Sequence, residues 1–318
     1  MPTSRETALL TVAAIRPGLE NDEYLFYERQ SIFTLAGKAL SDKKTASQHT
    51  SMLATSLENK GPVKVTFDTK RGVVLAIAEP KPAERETFSA NAAVLDKPAK
   101  ISPIEVRKID PTKFNIVGPY LKWAPFKLCE KIVPSYSKAQ EIFEFCAALS
   151  CHLPGPKAVT PCIPFQYVID GCYARAHQMR RIITDRFGYC CEKVFSFATA
   201  GNDRLAVRAN KWGGCCVTWW YHVAPLIRVN TKLSIGADPI SLTTAMVIDP
   251  GMFDAPVTLS TWLQAQETTS CTPSAHVTSY SIQPGTAYMP SGPNAFSTDP
   301  NYTQTEATLN SYSSLKTC

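Results

Sequence analysis

The chain has 318 residues, 44% of them hydrophobic, and a formal net charge of +6; at ~150 residues per domain it has room for about two packed domains. Its Lys and Arg are scattered instead of forming a stripe, which argues against nucleic acid as a partner. The longest early apolar run, Ala8 to Ile15, is bracketed by Arg5 and Arg16 and falls short of the ~18 residues of a membrane span, so the chain is expected to have no membrane partner and no convincing signal peptide.

Residues 22–80 read as a small α+β unit. Ser31 to Ala36 is strand-like, Gln48 to Leu57 helical, and Val63 to Phe67 alternates apolar with polar before a turn at Thr69 to Gly72 and a second strand, Val73 to Ile77. That order predicts a hairpin. Lys81 to Lys122 carries repeated prolines and charges with little periodicity, the pattern of a connector.

All 11 cysteines lie between Cys129 and Cys318. This asymmetry puts a boundary near 125–130 and divides the chain into 1–128 and 129–318. It also makes an oxidising, secreted or exported destination the expectation, by a route other than a signal in this chain. The second half opens with a helix from Tyr136 to Leu149. A Pro-rich loop flanked by Cys151 and Cys162 follows, then a short strand, Phe165 to Ile169, and a helix from Cys172 to Phe187 stopped by Gly188. Strands are expected at Val217 to Val229 and Ala245 to Ile248. From Glu267 onward the composition, rich in Ser, Thr, Tyr and Pro, allows disorder.

In Asp170-Gly171-Cys172-Tyr173-Ala174-Arg175-Ala176-His177, Asp170 suits a helix N-cap. Cys172 then falls in the first turn, where free N–H groups, the helix dipole and Arg175 favour a thiolate. In a chain this rich in cysteine, a disulfide partner or a buried thiol is the competing role for Cys172.

A cysteine nucleophile needs a base, and there are five histidines. His49 is in the other domain, and His152 and His276 sit in loops. His177 is roughly 140° around the same helix and cannot reach the thiol. His222, in the aromatic run Trp219-Trp220-Tyr221-His222, is the remaining candidate for the base, with a satisfied core histidine as its competing role. Asp249, closing an apolar strand before Pro250-Gly251, is its orienter, because an acid at such a point needs a partner; Asp254 and Asp170 are the fallbacks. A helix-start cysteine followed by a histidine and an aspartate on strands is the papain- and transglutaminase-like arrangement.

The blocks Pro161-Cys162-Ile163 through Val168, Asp170 to His177, Cys191-Glu192-Lys193, Cys215-Cys216-Val217, Tyr221 to Ala224 and Ile248-Asp249-Pro250, in this order, resemble the bacterial protein glutaminases, or protein-glutamine deamidases. The resemblance runs from about Ile132 to Cys318. It implies an α+β catalytic domain with a helix-plus-antiparallel-sheet core and an ordered tail, overriding the composition. It also implies a Cys172, His222, Asp249 triad that converts glutamine in proteins or peptides to glutamate through a thioester.

More loosely, residues 30–80 resemble the family's pro-region, which makes the first domain an intramolecular inhibitor, released by a cut between about 80 and 128. The stretches Ala200 to Gly214 and Asn230 to Thr244 look longer than the family's. Such chemistry needs no metal or cofactor, and the cysteines lack zinc-site spacing beside histidines. Transglutaminase, cysteine protease and exported effector or toxin deamidase are the alternative readings, and a disulfide-stapled binding module is the non-enzymatic one. Cys151–Cys162 is the expected disulfide; the vicinal pairs Cys190–Cys191 and Cys215–Cys216 are candidates to link to each other, and with Cys172 set aside the other ten make up to five bonds.

Overall fold

A computed structural model of the chain describes residues 5–18, 21–35, 43–68, 71–95, 107–108, 131–153, 161–235, 238–292 and 295–318. The boundary at 125–130 and most of the expected connector lie outside these residues.

The N-terminal unit begins earlier than its periodicity suggests. Strands β1 (Arg5–Leu10), β2 (Val12–Arg16), β3 (Glu23–Phe26) and β4 (Arg29–Leu35) precede helix α1 (Lys43–Asn59) and the strands β5 (Val63–Asp68) and β6 (Val73–Ala78). β5 and β6 form the expected antiparallel hairpin, β1 pairs antiparallel with β5, and β4 runs parallel to β6 at Thr34–Val73. The connector reading is corrected at Pro82–Leu95, which is helix α2. Proline fits the first helical position because its missing N–H is not needed there, and Glu84 in the first turn accepts the Lys81 N–H at 2.8 Å.

The β3–β4 part of this unit's sheet is packed on both faces. Alternation sends Tyr24, Phe26, Phe33 and Leu35 into a core with Leu53 of α1 and Val65 and Phe67 of β5. It sends Leu25, Tyr27 and Ile32 the other way, into a core shared with the second half. β3 is therefore buried along its whole length.

The second half is built on a six-stranded sheet, antiparallel throughout. Its members are β7 (Arg107–Lys108), β8 (Glu192–Phe197), β11 (Tyr221–Ile235), β12 (Asp238–Val247), β13 (Val257–Thr258) and β14 (Ser279–Pro284), in the order β13-β12-β11-β8-β14-β7. Helix α4 (Cys172–Asp185) lies against β11, with α3 (Tyr136–Ala148) beside it, capped by the Ser135 hydroxyl on the Lys138 N–H.

Phe165 to Ile169 is turn and bend, not a strand, and the expected strand Val217 to Val229 breaks at Trp220. Its first part, β10 (Cys216–Trp219), pairs with β9 (Leu205–Arg208) and, at Trp219–Ser31, with β4; the rest is β11. One eight-stranded sheet thus runs from the N-terminal unit into the second half. The tail is ordered, as the resemblance implies: helix α5 (Leu259–Gln264) precedes β14, and β15 (Ala287–Gly292), β16 (Ala295–Thr298) and helix α6 (Thr303–Tyr312) follow it.

Cys151–Cys162 forms as expected. The proposed link between vicinal pairs is corrected: Cys215 bonds Cys318 and Cys216 bonds Cys271. Five bonds among ten cysteines are not reached either, because Cys146 and Cys191 are buried free thiols along with Cys172.

The Cys215–Cys318 bond ties down the C-terminus, where the Thr317 hydroxyl accepts the Val168 N–H and donates to the Gln166 carbonyl, both at 2.8 Å. Cys318→Ser is expected to lower stability by about 2–4 kcal/mol, the usual worth of a bond closing a long loop; urea denaturation under non-reducing conditions measures it.

Candidate active site

Cys172 is the first residue of α4 and is 1% exposed. The helix cap differs from the expected one. Gly171, not Asp170, holds the N-cap position at φ +81°, and a Cβ there would meet the Tyr312 ring at 2.9 Å, so both backbone and space demand glycine. Asp170 instead receives the Tyr312 hydroxyl at 2.8 Å and the Gln30 N–H at 3.2 Å, and pairs with Arg29 at 3.4 Å. Arg175 donates to the carbonyls of Tyr167 and Asp170, both at 2.6 Å, and so fastens the approach loop to the first turn.

The expected thiolate is not the favoured form in this closed state. Burial pushes the Cys172 thiol pKa up and outweighs the opposing influences of Arg175 and the Val223 backbone N–H. Val223 follows His222 on β11, so the thiol lies beside the strand that carries the expected base.

His222 is buried, and its Nε2 meets Asp249 Oδ2 at 2.9 Å. The strand register explains the meeting: β12 pairs with β11 at Val247–Leu226, the Ile248 N–H reaches the Pro225 carbonyl at 3.0 Å, and the next residue is Asp249. The same Oδ2 accepts Trp262 Nε1–H at 2.9 Å. Burial resists ionisation of Asp249, but hydrogen bonds from His222 and Trp262 overcome it and hold the carboxyl below its usual pKa. The His222 ring is stacked between Trp219, at 4.6 Å, and Trp262, at 5.4 Å. Its Nδ1 is buried without a hydrogen-bond partner among the described residues. A ring clamped on both faces, with one nitrogen held by a carboxylate and the other free, is arranged to exchange a proton at Nδ1.

The other candidates fall elsewhere. His177 bridges α4 to the tail, its Nε2 on the Asp299 carbonyl at 3.0 Å and its Nδ1 on Lys193 Nζ at 2.6 Å. Burial and the neighbouring Lys193 push its pKa down to about 2, so it is a neutral structural link. His152 meets Trp212 edge to face, His276 pairs with Glu267 at 2.9 Å, and His49 is buried in the N-terminal unit. Asp254 pairs with Lys211 on the surface, and Asp170 serves the N-terminal strand instead of His222.

What covers the site is β4. Trp220 Nε1 donates to the Arg29 carbonyl at 2.7 Å, the Trp220 N–H to the Gln30 carbonyl at 3.0 Å, and Ser31 Oγ to the Ile169 carbonyl at 2.8 Å. Arg29 also donates to the hydroxyls of Tyr173 and Tyr312 and pairs with Glu6. Gln30 and Trp262 were not singled out from the sequence, and Trp219 was noted only as part of the aromatic run; the one available signal was a glutamine beside Ile32 on one face of β4.

A family model described as "Glutaminase" matches residues 139–266, a span that includes Cys172, His222 and Asp249. No curated protein matches the chain. Among solved structures, a pro-protein-glutaminase is 26% identical with a TM-score of 0.70, over 99% of this chain and 95% of that one. A protein-glutaminase structure is 35% identical with a TM-score of 0.50, over 59% of this chain and 92% of that one. The chain belongs to the protein-glutaminase family. Its α+β fold is that of these structures.

Trp262→Phe keeps the apolar wall and removes one donor from Asp249. The expected loss is about 1–2 kcal/mol at neutral pH. The sign of the pH effect follows from the depressed Asp249 pKa: its contribution is present above the unfolded carboxyl value and lost as pH falls through the folded one. With one donor gone the folded value rises, so the acid-unfolding midpoint should move to higher pH, measured by fluorescence or circular dichroism.

Proposed function

We propose that the chain is a protein-glutamine deamidase in proenzyme form, with Cys172 as nucleophile, His222 as general base and acid, and Asp249 as the residue that orients His222. The observation that carries this reading is the His222 ring, held at Nε2 by Asp249 and free at Nδ1, on the strand whose next residue, Val223, gives its backbone N–H to the thiol of the helix-start Cys172. Helix-start cysteine, strand histidine and an acid after the next strand make the arrangement papain- and transglutaminase-like.

The Cys172 thiol passes its proton to His222 and attacks the carboxamide carbon of a glutamine in a protein or peptide. The Cys172 backbone N–H faces the oxygen on which charge develops. His222 returns the proton to the departing ammonia, a thioester remains, and water activated by His222 hydrolyses it to glutamate. Every step is supplied by side chains and backbone of this chain.

Residues 1–128 act as the inhibitor and 129–318 as the enzyme. Support comes from β4, which lies over Cys172 in the place an external substrate strand would need. The disulfides of the second half suit an oxidising, exported destination.

Two expectations test the assignment. Limited proteolysis in the 80–128 region should switch on ammonia release from a casein-like substrate, without cross-linking or fragmentation; equal release before and after cutting would remove the inhibitor role. In the cut protein, Cys172→Ala should lower ammonia release by roughly 10⁴-fold or more while leaving the circular dichroism spectrum unchanged. Undiminished release by that variant would reject Cys172 as nucleophile, and cross-linked or fragmented casein would favour transglutaminase or protease chemistry.

A further inference from the structure

Gln30 does more than fill the cleft. Its side chain is fully buried, its Oε1 accepts the Cys172 N–H at 2.9 Å, and its Nε2 donates to the Val168 carbonyl at 3.2 Å. Both partners are backbone groups of fixed polarity: an N–H only donates and a carbonyl only accepts, so the orientation of the carboxamide is determined. Neither an alanine nor a glutamate in its place satisfies both.

Main-chain bonds hold the same residue as an extended strand, the Gln30 N–H on Asp170 Oδ1 and its carbonyl on the Trp220 N–H. β-Strand addition with one side chain read in a pocket is how an extended peptide is recognised. The pocket contents here are a glutamine side chain whose oxygen sits on the amide of the nucleophile.

We propose that Gln30 is the enzyme's own first substrate, deamidated in the intact chain before any external protein can enter. The inference rests on the reading of Cys172 as nucleophile. Cys172 Sγ, its proton taken by His222, forms a bond to Gln30 Cδ while the carbonyl π pair moves onto Oε1. The pair returns, the Cδ–Nε2 bond breaks, and Nε2 takes the proton from His222 and leaves as ammonia. Water, close to ammonia in size, takes the vacated place by the Val168 carbonyl. It gives a proton to His222 and adds to Cδ, and the C–S bond breaks with its electron pair returning to sulfur, which is reprotonated. The net change is glutamine plus water to glutamate plus ammonia.

The product no longer fits. One oxygen of the new carboxylate can still take the Cys172 N–H, but the other faces the Val168 carbonyl, which already accepts Trp219 Nε1–H at 2.9 Å. The Asp170 carboxylate, bonded to the backbone N–H of the same position and already paired with Arg29, offers it no donor. A buried negative charge with one oxygen facing a carbonyl is strongly disfavoured. Self-deamidation therefore weakens the hold of β4 on the cleft and primes the inhibitor for removal by the cut.

Peptide mapping by mass spectrometry of the purified full-length chain, wild type beside Cys172→Ala, tests this directly. The expected result is glutamate at position 30 in the wild type, read as the mass difference of O for NH, and glutamine in the variant. Glutamine in both, or glutamate in both, overturns the proposal, the latter because uncatalysed hydrolysis then suffices. A wild-type chain lighter by one ammonia, with residue 30 joined to Cys172, overturns the hydrolytic step and the weakened hold that depends on it.

In uncut chains, Gln30→Glu should release ammonia from casein at least about tenfold faster than Gln30→Ala; equal rates overturn the weakened hold. Ammonia release from casein by the cut wild-type enzyme separates the two readings. Activity there with Gln30 intact sinks this inference and leaves the deamidase standing, whereas Cys172-dependent conversion of Gln30 with no activity on casein does the reverse.

Discussion

An α-helix leaves its first N–H groups without internal partners, and much of this structure is arranged around the one on Cys172. Gly171 turns the chain into α4 with a left-handed conformation and contributes no side-chain cap, so the N–H points into the cleft. Arg175 fixes that geometry from below through two carbonyls of the approach loop. Whatever lies in the cleft must then present an acceptor to Cys172. Gln30 does so in this structure, and on the proposed mechanism a substrate carboxamide would take its place. The donor proposed to stabilise the reaction and the donor that docks β4 are then the same group.

The N-terminal unit is held by more than that contact. Its sheet has two apolar faces, one closed by α1 and the other packed on the second half through Leu25, Tyr27 and Ile32. Glu23 pairs with both Arg16 and Arg204, and Arg16 donates to the carbonyls of Ala198 and Asp203 at 3.0 and 2.6 Å. These charges are largely buried, where breaking one partner away is far more disruptive than the pair's net worth suggests. Such an interface favours all-or-none separation: a disturbance at Gln30 acts on a surface whose charged groups lose their partners together once water enters.

The helix-start position of Cys172 and the meeting of His222 with Asp249 were legible because each residue carried a local physical signal: a turn before a helix, an aromatic-lined strand, an acid ending an apolar strand. The hairpin β5–β6 and the helices α1, α3 and α4 were legible from periodicity for the same reason. What escaped depended on the tertiary partner. Val217 to Val229 reads as one strand, but it serves two sheets because β4 draws Trp219 away at Trp220. Asp170 has the composition of an N-cap, but Arg29 and Tyr312, far away in sequence, claim its carboxylate. The strands β1 to β3 went unrecognised in part because β3, buried on both faces, shows no alternation. The tail's composition suggested disorder until disulfides to Cys271 and Cys318 and the buried Leu309 and Tyr312 were in view; only the family resemblance had anticipated its order.

On the proposed reading, inhibition is electrostatic as well as steric. In the closed chain the helix start and Arg175 favour a Cys172 thiolate, yet removal of water from the thiol outweighs them and its pKa stands above the ordinary value. His222 precedes Val223 on the same strand, and its Nδ1 is buried away from solvent. Lifting β4 changes both at once. It hydrates the thiol, which removes the largest opposing influence and leaves the helix dipole and Arg175 in control, and it opens Nδ1 to substrate and water. The Asp249 side of the imidazole changes little, because Trp262 and the β11–β12 register that hold it belong to the second half alone. The part of the site that must be rigid is thus built into the enzyme's own sheet, and the part that must switch is left to the strand that departs.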